Sequence, residues 1–161
     1  MNGEDVQKLV FNFLKNKDVV SVAIQGEKGS WVSNFYYILD EDFNFYFITN
    51  IKNYFSESIQ ENPNISFTVF WRDEKNKLNR ESVQGSGKVQ ILEDGLKSKE
   101  VFLKFGEKFP EINSILFDEN NFLNKKYDDF VFFKLEPEFV KYINDEKFHD
   151  FESVSLKFKN N

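Results

Sequence analysis

Val6, Leu9, Val10, Phe13 and Leu14 recur at helical spacing and predict a short opening helix. The period then changes. Val20, Val22 and Ile24 alternate with polar neighbours, the mark of a half-buried strand. "EKGS" with Gly29 reads as a turn, "WVSNFYYILD" as a second strand, and "EDFN" as the turn into a third, "FYFIT". In that third strand Phe45, Phe47 and Thr49 share one face and Tyr46 and Ile48 the other. The three strands are predicted to form a meander.

The strand ends in Thr49-Asn50, and "NYFSESIQENP" follows as a short helix closed by Asn62 and Pro63. A strand that ends at the mouth of a helix is a place to hold an anion, because the first helical amides are free. Further on, "ISFTVFW" is a strand, "RDEKNKLN" a polar loop and "RESVQGSGKVQILED" a long strand. Its Gly85 and Gly87 fall on one face, as at a bend or a close approach to backbone or ligand. Val101, Phe102, Phe105 and Phe109 form one helical stripe, and "EINSILF" a second short helix. "DENNFLNKKYDD" reads as a loop. "FVFFKLEPEFVKYIND" is two strands or one bent at Pro137, and "FESVSLKF" alternates once more. About seven strands with turn signals point to a closed antiparallel barrel with helices against it, an α+β domain spanning 1–161.

Composition narrows the functions. The net charge is −6, which argues against a nucleic-acid partner. Twenty-one residues are Phe, ample for a core and for an interface, although Phe, Asn and Lys are abundant together as in an AT-rich genome. There is no Cys and one His, His149, so thiolate and His-rich metal sites are excluded. His149 reads as a surface or interface residue, with proton donation as the other role. The amphipathic N-terminus is not a signal peptide, and no apolar run approaches a membrane span, so a cytoplasmic protein is expected.

The order of these pieces, with phrases such as "ENPNISFTV", "SVQGSGKVQILED" and "KLEPEFVKY", resembles the pyridoxamine 5'-phosphate oxidase-like, FMN-binding split-barrel superfamily from about Val19 to Asp145. Within it the chain looks most like small bacterial proteins of undefined activity. The resemblance implies a split antiparallel barrel, a homodimer, and FMN in a groove between subunits. By position it places Ser33 and Asn34 at the ring or ribityl chain and Gln84 at a ring edge. Thr49, Asn50, Lys52 and Asn53 would surround the phosphate. Where many members carry an Arg-Lys pair at the helix start, this chain has Tyr54 and Phe55. Lys52 is then the nearby cation, and FMN is expected to bind loosely. The Arg-x-His signature with which the oxidases hold their substrate is missing, so vitamin synthesis is not expected.

Each of these residues has a plainer reading. Thr49 is as well suited to capping the helix as to touching a ligand. Lys52 suits a solvated loop, Gln84 the solvent, and Asn34 a backbone contact within the barrel. Trp31 and Trp71 suit a core or a dimer interface. Two functions follow. One is a flavin-dependent oxidoreductase whose cofactor carries the chemistry. The other is a non-catalytic module for flavin, haem or another planar ligand, or an apo scaffold. A deazaflavin is a further option beside FMN.

Overall fold

The computed structural model describes residues 3–120, 123–148 and 152–158. The opening helix α1 (Gly3–Lys15) buries the predicted stripe, with Val10 and Leu14 inaccessible to solvent. Strands β1 (Val19–Gly26) and β2 (Gly29–Tyr36) form the first hairpin, with Val20, Val22 and Ile24 buried. The second predicted strand does not run through to Asp40. It breaks at Tyr37, whose hydroxyl turns inward to donate to the Leu14 carbonyl at the end of α1 and whose amide bonds Asp18. The chain resumes as β3 (Ile38–Leu39) and β4 (Phe45–Asn50).

Helix α2 (Tyr54–Glu61) leads into β5 (Asn64–Arg72) and the long β6 (Arg80–Ile91). Helices α3 (Gly95–Lys108) and α4 (Pro110–Leu116) precede one 15-residue strand, β7 (Phe130–Asn144), and β8 (Ser153–Lys157). Phe102 lies off the buried face of α3 and packs on Phe117 instead.

The sheet is antiparallel throughout and runs β2-β1-β5-β6-β7-β4-β3, with β8 beside β7. This corrects two expectations. The first three strands are not a meander, because β4 pairs with β3 and β7 rather than with β2. Nor is the barrel closed: β2 and β3 end the ladder at opposite sides, giving a curled, split sheet, the split barrel that the resemblance implies. Side chains bridge the seam where backbone does not. Phe35 of β2 stacks on Phe47 of β4 at 4.3 Å, and Phe47 in turn stacks on Phe133 of β7 at 5.7 Å.

Strand β4 is buried on both faces, as its doubled apolar pattern requires. Phe45 and Phe47 face the main core. Tyr46 joins a second cluster with Ile38, Val101, Phe105 and Phe109, where α3 covers the outside.

The two glycines of β6 are there for close approach. A Cβ on Gly85 would come within 2.6 Å of the Phe139 carbonyl and the Phe67 ring. One on Gly87 would come within 2.2 Å of the Glu136 carbonyl, beside the register shift between Ser86 and Gly87. At that point β7 passes from pairing with β4 to pairing with β8, so Pro137 lacks an N–H where no neighbour asks for one. Gly87→Val and Gly85→Val are each expected to cost about 1–3 kcal/mol by urea unfolding. Native-like midpoints in both would contradict the close approach.

Candidate functional site

The junction of β4 and α2 is built by a short chain of side-chain bonds. Asn53 caps the helix: its Oδ1 accepts from the Ser56 amide at 2.8 Å and its Nδ2 donates to Thr49 Oγ1 at 2.9 Å. Ser56 Oγ donates to the Asn50 carbonyl at 2.7 Å, and Asn50 Oδ1 accepts from the Lys52 amide at 2.8 Å. The helix cap is therefore Asn53, and Thr49 is a buried acceptor behind it rather than the cap. Lys52 extends away to Asp129, with Nζ 2.8 Å from the carboxylate. That partner lies 77 residues on and arrives because Asn50 pairs with Phe130 across β4 and β7.

Tyr54 and Phe55 point in different directions from the helix start. Phe55 is 2 % exposed and packs edge-on against Phe35, Phe47 and Phe133. Tyr54 reaches across to the β1–β2 hairpin. Its hydroxyl accepts from the Lys28 amide at 3.0 Å and donates to the Gly29 carbonyl at 2.9 Å. Trp31 meets its ring edge-on at 6.4 Å, and Lys28 Nζ lies 5.6 Å from the ring centroid. Gly26 makes room, since a Cβ there would fall 2.6 Å from the Tyr54 hydroxyl.

The seven candidate residues divide between two faces. Thr49, Asn50, Lys52 and Asn53 gather at the junction. Ser33, opposite Val22, lies on the inward side of β2. Asn34 and Gln84 lie on the outward side, in one row across the sheet: Asn34 opposite Ser21, Ser21 opposite Thr68, Thr68 opposite Gln84, Gln84 opposite Lys141. Ser21 Oγ donates to Asn34 Oδ1 at 2.6 Å, and Gln84 is exposed. Three strand spacings separate Asn34 from Gln84, roughly 14 Å. The same face carries exposed Val19, Val32, Tyr36, Phe70 and Phe139. Trp31 and Trp71 are also partly open to solvent, so neither is a core residue. His149 lies outside the described residues.

A cleft of about 810 Å³ opens elsewhere, between the β3–β4 turn, the end of α2 and the start of α3, and none of the seven residues lines it. Its polar groups serve the fold. Asp40 accepts from the amides of Asp42 and Asn44, from Asn44 Nδ2 and from the Tyr46 hydroxyl. Burial, and then that bond to Asp40, push the Tyr46 phenol well above its ordinary range. Among the described residues no group of acidic or His side chains is arranged to hold a metal, and no helix is long and apolar enough to cross a membrane.

A family model described as pyridoxamine 5'-phosphate oxidase matches residues 6–144. The chain belongs to the pyridoxamine 5'-phosphate oxidase family. Solved structures agree on the fold. Campylobacter jejuni ChuZ superposes with a TM-score of 0.75 at 18 % identity, over 98 % of this chain and 61 % of its own. A FAD-binding protein from Mesorhizobium loti gives 0.63 at 17 % identity, over 87 % and 92 %. A heme binding protein from Mycobacterium smegmatis gives 0.63 at 14 % identity, over 88 % and 53 %. No curated protein matches the sequence. The family's fold thus has flavin-binding and haem-binding examples, and at these identities the likeness is one of fold.

Two features of the junction had no sequence signal. Asp129 is brought in by strand pairing alone. Tyr54 was visible as a departure from the family's basic pair, but nothing local marks its hydroxyl as a tie to the hairpin.

Proposed function

We propose that this chain is a homodimeric flavin-binding member of the family, an oxidoreductase in which the flavin supplies the redox chemistry and the protein orients the ring. The observation that carries this reading is the outward sheet face, where apolar side chains flank a polar row. Val32, Tyr36, Phe70 and Phe139 offer flat apolar surface, while Asn34, Thr68 and Gln84 offer hydrogen-bonding groups. A planar ring with polar edges suits such a surface. Asn34 and Gln84 stand three strand spacings apart in one subunit, and a groove between two copies would bring Asn34 of one beside Gln84 of the other while burying the apolar face supplies the association energy.

The ring end of FMN fits these residues better than the phosphate end does, since Lys52 and Asn53 are already engaged. That engagement favours a second reading, a non-catalytic holder of a planar ligand such as haem.

Sedimentation and flavin fluorescence test both. A dimer at micromolar concentration is expected, with quenching of added flavin. Phe70→Glu is expected to weaken the dimer at least tenfold and to abolish quenching, because it places a charge in the apolar face. A wild-type monomer, or no quenching at high micromolar flavin, would remove the flavin reading. A Soret shift with haem instead would support the second.

A further inference from the structure

We infer that Tyr54 is a specificity-determining residue which closes the anion end of the site, so that the ligand is a planar molecule without a terminal phosphate, of the riboflavin type. The inference rests on the flavin reading above and narrows it.

The β4–α2 junction is where an anion would sit, at a helix start with its amides forward. In this chain the side chains there are committed to one another. Asn53 serves the Ser56 amide and Thr49, Ser56 serves the Asn50 carbonyl, and Asn50 serves the Lys52 amide. Tyr54 then ties the helix start to the β1–β2 hairpin through Lys28 N and Gly29 O. Its hydroxyl shares the space over Gly26 with Ser58, and Trp31 meets its ring edge-on. A phosphate entering here would have to displace the ring or break the tie.

Charge argues the same way. Lys52 is paired with Asp129, and Lys28 lies over the Tyr54 ring. Glu57 sits in the first turn of α2. Two lysines and two carboxylates leave no net positive charge for a dianion, which ordinarily takes charge-assisted partners. A neutral polyol end needs none.

Wild-type protein should bind riboflavin at least about threefold more tightly than FMN, with little dependence on salt. Lys28→Ala and Lys52→Ala should each leave FMN affinity within about twofold. Tyr54→Arg should tighten FMN by roughly ten- to a hundredfold, the worth of one charged hydrogen bond, and leave riboflavin unchanged. Should Tyr54→Arg fail to fold, Tyr54→Phe keeps the ring and loses only the tie. It should favour FMN over riboflavin relative to wild type, since the ring can then swing aside. Wild-type preference for FMN by tenfold or more, lost in either lysine variant, overturns the inference and leaves the flavin reading standing. Binding of neither flavin overturns both.

Discussion

Phe47→Ala should destabilise the fold by about 3–5 kcal/mol, the cost of emptying a fully buried aromatic position. The residue has no exposed surface. Its ring is stacked between Phe35 and Phe133 and is met edge-on by Phe55 at 5.9 Å. These contacts do more than fill volume. Strands β2 and β4 share no backbone ladder, so the two edges of the split are held together by rings. A cavity at Phe47 loosens that seam, and neighbouring rings anchored on two strands and a helix cannot all collapse into it. Urea unfolding measures the loss. Leu103→Ala, on the exposed side of α3, should change stability by no more than about 0.5 kcal/mol. A loss under about 1 kcal/mol for Phe47→Ala would mean that the seam is held by something other than its rings.

The strands were legible because alternation survives wherever one face is buried. Val20, Val22 and Ile24 behave as their spacing predicts, and both faces of "FYFIT" were apolar because α3 covers the second. The pairing of those strands was not legible. Turn signals between β1, β2 and β4 suggested a meander, but the decisive contact is remote: Phe45 to Asn50 pair with Leu135 to Phe130, 80 to 90 residues on. Alternation also gave no warning of the break at Tyr37. A tyrosine that continues the pattern is indistinguishable from one whose hydroxyl must reach the end of α1.

The candidate site divides in the same manner. The Thr49-Asn50 strand end and the helix after it stand where the pattern put them. The sequence offered Thr49 as the cap of that helix, but Asn53 takes the place because its carboxamide serves Ser56 and Thr49 at once. The state of Lys52 was beyond local reading, since its partner Asp129 comes from the far side of the ladder. Likewise Asn34 and Gln84 looked like members of one site, and only the register shows them in one row but roughly 14 Å apart.

Alkaline pH should unfold this protein steeply. Tyr37, Tyr46 and Tyr142 are all but fully buried, and burial raises each phenol above its ordinary 10.0. Tyr46 is pushed further by Asp40 and Tyr142 by Glu81, to which their hydroxyls donate. Above pH 10 the unfolded chain gives up these protons and the native state keeps them. Stability therefore falls as pH rises, by about 1.4 kcal/mol per pH unit for each group. One nearby group acts in the opposite sense. Lys108 is half-buried between the Lys17 and Tyr37 carbonyls, and desolvation lowers it from 10.5 despite Asp18. The native state releases that proton first, which offsets one tyrosine until the unfolded lysine has titrated too. The net slope should be shallow near pH 10, where the unfolded phenols are half ionised and Lys108 opposes them, and should approach about 4 kcal/mol per pH unit once the unfolded tyrosines and lysine have titrated. At that slope a typical domain stability is exhausted within two or three pH units. Urea unfolding across this range gives the slope, and the phenolate absorbance of these three tyrosines should appear together with loss of structure rather than before it. Tyr37→Phe should remove about one proton's worth of the slope, whatever it does to stability at neutral pH. Phenolate absorbance from all three groups in a protein that is still folded at pH 11 would show that they titrate freely and that their burial carries no such penalty.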